Sequence, residues 1–107
     1  MAAISVNAQE IMKDYVARLG KILPIERAIL FGSHAKGTAD ESSDIDIAII
    51  SPTFTDMPRV DSFVLLMREA RSLKVDIQPL PFAPDDLAEP TGILEEILRT
   101  GMDIVIG

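Results

Sequence analysis

The run Ala28-Ile29-Leu30-Phe31 constrains the fold more than any other stretch of these 107 residues. Four apolar residues in succession leave no polar face, so a strand built from Glu26 to Phe31 has to be covered on both sides. A sheet with helices packed on it satisfies that demand. The run stops at Gly32-Ser33, and a second strand is expected from Asp44 to Ile50, closed by Ser51-Pro52. A third, Lys74 to Leu80, ends among Pro79, Pro81 and Pro84, which points to a sheet edge or an early exit from the sheet.

Helical spacing links Ala8, Ile11, Met12, Tyr15, Val16 and Leu19, after a capping-box pattern at Asn7 and Glu10 and before Gly20 and Pro24. A second helix is expected from Met57 to Leu73, with Pro58 in its first turn and a buried stripe of Val60, Phe63, Val64, Met67 and Ala70. A short third runs from Ile93 to Arg99 and is capped by Gly101; the apolar tail Met102 to Ile106 forms a last short strand or docks on a partner. This order predicts an α/β fold, a small mixed sheet with helices packed on it, in a single domain over residues 1–107. Hydrophobic residues reach 48% but aromatics only 5%, so Ile, Leu, Val and Met must build the core.

Net charge narrows the function. At −7, with ten scattered Lys and Arg and no basic stripe, the chain is poorly suited to gripping nucleic-acid phosphates. Excess acid suits divalent cations or a basic protein partner. No apolar stretch approaches the length a bilayer requires, and Met1 to Asn7 shows no leader pattern. Cysteine is absent, which removes disulfides and thiolate metal sites and leaves the cytoplasm as the expected compartment.

Asp44 and Asp46 stand two apart on an apolar strand, so both carboxylates leave one face while Ile45, Ile47 and Ile49 leave the other. Two like charges at one site are relieved by a hard cation, and Mg²⁺ binds through one or two carboxylates plus phosphate oxygens. An isolated Asp-x-Asp more often marks a solvated strand end. Asp76 changes the balance, because it alternates with Val75 and Ile77 on another strand and, in suitable register, brings a third carboxylate to the metal and a base for an attacking hydroxyl. Gly32-Ser33, where a buried strand becomes a loop, is a place for backbone N–H groups to approach phosphate, although alone it is an ordinary strand-ending turn. Gly32 and Gly37 have the glycine spacing of a Walker A loop, but Thr38-Ala39 replaces the required Lys and Ser or Thr. His34, the sole histidine, reads as a solvated loop residue, and Tyr15, the sole tyrosine, as core.

Gly32-Ser33, ten further residues, Asp44-Ile45-Asp46 and a later strand Asp together resemble the signature of the polymerase-beta-like nucleotidyltransferase superfamily. Within it, the short chain and the segment Leu30 to Gly37 resemble the minimal nucleotidyltransferases, antitoxin partners of HEPN ribonuclease toxins. The resemblance implies that Gly32, Ser33 and Lys36 contact the nucleotide and that Asp44 and Asp46 bind Mg²⁺. It further implies that Asp76 joins them and activates the acceptor. Many relatives carry Arg where this chain has His34 and Lys36, and a lysine offers a point charge rather than a two-pronged contact. The implied activity is transfer of AMP from ATP to a hydroxyl, a tyrosine of a HEPN toxin in that family, with release of pyrophosphate. Neutralisation by masking alone and nucleotidyl transfer to a small molecule are the alternatives.

Overall fold

The structure, a computed structural model, describes residues 6–32, 44–73 and 76–104, with side chains from Gln9 onward. Helix α1 spans Val6–Leu19, strand β1 Arg27–Phe31 and strand β2 Ile45–Ile50. Helix α2 is Arg59–Ala70, β3 Ile77–Phe82, α3 Gly92–Thr100 and β4 Met102–Asp103. Strand order is β3-β2-β1-β4, with β1 antiparallel to both β2 and β4 and β2 parallel to β3. The result is the mixed sheet expected. Among the described residues no helix is long and apolar enough to cross a membrane.

Both faces of the sheet are buried, as the apolar run in β1 demands. Ala28, Leu30, Ile45, Ile47, Ile49 and Ile77 pack with Met12, Tyr15, Val16, Leu19 and Leu66 from α1 and α2. The alternate residues Ile29, Ala48, Ile50 and Phe82 pack with Leu94 and Ile97 of α3. Period-2 alternation thus divides each strand between two clusters. Gly101 lets α3 close on β1, since a Cβ there would meet Ile29 Cγ2 and the Ile97 carbonyl at 2.5 Å.

Helix α1 begins at Val6, so Asn7 lies inside it; the Asn7 side chain is outside the described residues. Gly20 ends the helix, its N–H donating to the Val16 carbonyl at 2.9 Å. The loop expected after Ser51 contains a 3₁₀ turn, Pro52–Thr55, capped by Ser51 Oγ accepting from the Thr53 N–H at 3.2 Å. Pro58 precedes α2 rather than occupying its first turn. The third strand extends through Pro79 and Pro81 to Phe82 at the sheet edge. The Asp76 and Phe82 carbonyls bond β2, so in the alternating ladder residues 79 and 81 direct their nitrogens to the free side. Proline there removes donors that would otherwise invite another strand.

One expectation needs correction. The buried face of α2 is Ser62, Leu66 and Ala70, while Val60, Phe63 and Val64 are 73%, 38% and 46% exposed. This helix carries two apolar stripes, and spacing alone does not say which meets the sheet; Ser62 tolerates burial because its hydroxyl donates to the Pro58 carbonyl at 3.3 Å. The tail takes the first of its two expected forms, a short strand: Met102 and Asp103 lie opposite Leu30 and Ile29, and Ile104 is buried in the core. Arg27 secures this strand through two hydrogen bonds to the Asp103 carboxylate, at 2.9 and 3.2 Å.

Candidate active site

The acidic residues gather where β2 and β3 begin and β1 ends. The parallel register sets Asp46 beside Gln78 and Ile45 beside Ile77, and the Ile45 N–H donates to the Asp76 carbonyl at 2.9 Å. Continued by one residue, the same register aligns Asp44 with Asp76. Register partners in a sheet share a face, so Asp44, Asp46, Asp76 and Gln78 lie on the α3 side, opposite Ile45 and Ile77, which are buried against α1 and α2. Strand geometry separates Asp44 from Asp46 by about 6.6 Å along β2, and adjacent strands by roughly 4.8 Å.

Asp46 is the most enclosed of the three. Asp44 and Asp76 are exposed at the strand ends, whereas Asp46 is half-buried between Phe31 of β1, its antiparallel partner, and Gln78. Directly after Phe31 the chain turns at Gly32 with φ +74°. A Cβ on Gly32 would overlap Asp46 Oδ2 and stand 3.1 Å from Cγ and 3.3 Å from Cβ of the same residue. Glycine is therefore needed here twice, for its left-handed backbone and for the space the Asp46 carboxylate occupies. The turn that leaves β1 and the acid on β2 form one unit.

The available donors suit a hard cation. They are carboxylate oxygens; the sequence has no cysteine, and its single histidine, His34, lies outside the described residues together with Ser33 and Lys36. Among the described residues no three His, Cys, Asp or Glu already stand close enough together to hold an ion. Register aligns Asp44 with Asp76 and puts Asp46 on the same face, and like-charge repulsion opposes gathering the three further without a cation. Gln78 is the neighbour that the reading of the sequence left without a role. Its signal was the alternation that put Asp76 and Gln78 on one face, but its place beside Asp46 depends on strand pairing. Tyr15 is fully buried, and its hydroxyl donates to the Leu66 carbonyl at 2.7 Å, so it is a core residue.

Similarity to known proteins identifies the family. Residues 10–104 match the model of the nucleotidyltransferase domain family. A protein of Methanocaldococcus jannaschii named "putative protein adenylyltransferase" is 30% identical over 100 residues, covering 89% of this chain and 96% of its own. A "putative nucleotidyltransferase" from Sulfolobus solfataricus superposes with TM-score 0.71 at 17% identity, over 92% of this chain and 79% of its own. A toxin–antitoxin structure with AMP-PNP gives 0.61 at 21% identity, over 89% and 73% of the two chains. The MntA-HepT toxin–antitoxin gives 0.57 at 17%, over 96% and 74%. These structural likenesses establish a shared fold, and the family match runs from α1 into the residue after β4, so this chain belongs to the nucleotidyltransferase domain family and is a nucleotidyltransferase.

Proposed function

We propose that this chain is a single-domain cytoplasmic antitoxin that transfers AMP from ATP, with Mg²⁺, to a tyrosine hydroxyl of a HEPN-type toxin with which it forms a complex. The observation that carries the chemistry is the Asp46 carboxylate lying against Gly32 while strand register aligns Asp44 with Asp76 on the same face. Phosphates approaching the turn at Gly32 would thus lie beside Asp46. The choice of nucleotide and acceptor draws support from the relative named for protein adenylyltransfer and from the fold shared with toxin–antitoxin proteins, one of them solved with AMP-PNP.

In this reading Asp44 and Asp46, with Asp76, hold Mg²⁺, while Gly32, Ser33 and Lys36 bind the triphosphate. Bound Mg²⁺ supplies neutralisation of phosphate charge and of the leaving pyrophosphate. Asp76, directly before the edge strand, accepts the proton of the acceptor hydroxyl. The hydroxyl oxygen forms a bond to the α-phosphorus; the bond from that phosphorus to the bridging oxygen breaks, and pyrophosphate departs with its electron pair. Asp46 stands on β2, and Asp44 and Asp76 directly precede β2 and β3, which supports a site built where two paired strands begin.

The test is incubation of the chain with α-labelled ATP, Mg²⁺ and the toxin. Label on a toxin tyrosine is expected from the native chain and none from Asp44→Asn/Asp46→Asn. Absence of transfer by the folded native chain rejects the assignment. The exposed apolar residues of α2 favour a second reading, neutralisation by binding alone. Full neutralisation by the Asp44→Asn/Asp46→Asn variant would establish that reading instead.

A further inference from the structure

Val60, Phe63, Val64 and Met67 recur at the spacing of one helical face, and in α2 the first three are exposed while Met67 is half-buried. Val60 is 73% exposed, Val64 46% and Phe63 38%. The opposite side of the helix meets the sheet through Ser62, Leu66 and Ala70, and the carbonyl of Leu66 accepts the Tyr15 hydroxyl of α1. No described element is assigned to cover the outer stripe. Isolated exposed apolar residues are ordinary; a stripe sustained over two turns, centred on an aromatic residue, has the makings of an interface core.

The charges beside it indicate the occupant. Arg68 and Arg71 are exposed on α2 and just after it, with Asp61 as the exposed acid of the helix; Arg59 lies over the Phe82 ring, and Glu69 is half-buried and acts on Tyr15, on a chain whose net charge is −7. The stripe therefore lies in a basic neighbourhood on an acidic protein. A second copy paired through this face by a twofold axis would bring its own arginines toward these. We infer that the outer face of α2 docks a different protein, one presenting an apolar surface rimmed by Asp and Glu. Phe63 and Val64 fill the centre, and Arg68 and Arg71 meet the acidic rim.

This inference takes from the functional reading only its probe, the HEPN-type toxin. Binding of toxin to the full chain is measured by titration calorimetry at low and high salt, with sedimentation of the chain alone. Val60→Ser/Phe63→Ser/Val64→Ser is expected to weaken binding by about tenfold or more. Arg68→Glu/Arg71→Glu should weaken it severalfold and abolish its salt sensitivity. Circular dichroism confirms that the variants fold. Unchanged affinity in both variants overturns the proposal, as does failure of the native chain to bind the toxin. A dimer of the chain alone that the serine variant converts to monomer also overturns it, by assigning the face to a second copy. Loss of labelling in Asp44→Asn/Asp46→Asn with binding retained separates the chemistry from the docking surface.

Discussion

Replacing Gly32 by alanine tests the junction between the β1 turn and Asp46. An alanine at φ +74° incurs a left-handed cost of about 1–2 kcal/mol. Its Cβ also overlaps Asp46 Oδ2, and pushing that side chain from its rotamer adds about 0.5–1.5 kcal/mol. The sum, about 1.5–3.5 kcal/mol, corresponds to a fall in Tm of roughly 6–28 °C for a domain near this size. Catalysis should suffer more, because the carboxylate has to yield by about 1 Å, and a displacement of that size costs on the order of 10²-fold in rate. Gly32→Asn separates the two causes. Asparagine enters the left-handed region more readily but carries the same Cβ, so it should regain part of the stability and little of the activity. Thermal denaturation and AMP transfer from labelled ATP are the assays. A Gly32→Ala protein with native Tm and native transfer rate would refute the claimed contact and the role built on it.

Tyr15→Phe removes a buried hydrogen bond to the Leu66 carbonyl and should cost about 1 kcal/mol in denaturant unfolding while leaving AMP transfer unchanged. Burial, reinforced by Glu69, raises the Tyr15 pKa above its usual 10.0. The folded state then holds that proton longer than the unfolded chain, so the contribution is complete below pH 10 and declines as pH rises beyond it; Tyr15→Phe should flatten this alkaline loss in pH-dependent unfolding. Gly101→Ala places a Cβ 2.5 Å from Ile29 Cγ2 and the Ile97 carbonyl, and should destabilise the protein by about 1–3 kcal/mol or more, read from the unfolding midpoint. Arg27→Ala, by contrast, breaks a pair whose side chains are 41% and 58% exposed, so a loss under about 1 kcal/mol is expected, with faster amide exchange at Ile104, whose N–H bonds Ala28.

Much of the fold was legible because its signals are local. Gly20 ended a helix, the apolar run at Ala28 to Phe31 required cover on two faces, and Pro79 and Pro81 belonged to an edge. The orientation of α2 was not legible. Its sequence offers the stripe of Val60, Phe63, Val64 and Met67 and the stripe of Ser62, Leu66 and Ala70, and the more hydrophobic one is outside. Packing chose the stripe in which Leu66 joins the core shared with α1 and the strands. Likewise, nothing local to Gly32 reveals that its missing side chain makes room for Asp46, fourteen positions later in the chain.

Alternation by twos, readable from adjacent residues, assigned Asp44 and Asp46 to one side of their strand and Asp76 and Gln78 to one side of theirs. Whether those sides coincide is a matter of pairing. A slip of one residue between β2 and β3 would turn Asp76 away from Asp46 and expose Ile77. Burial of Ile45 and Ile77 in a common core opposes that slip, and it does so through contacts among α1, α2 and both strands that exist only once the chain has folded.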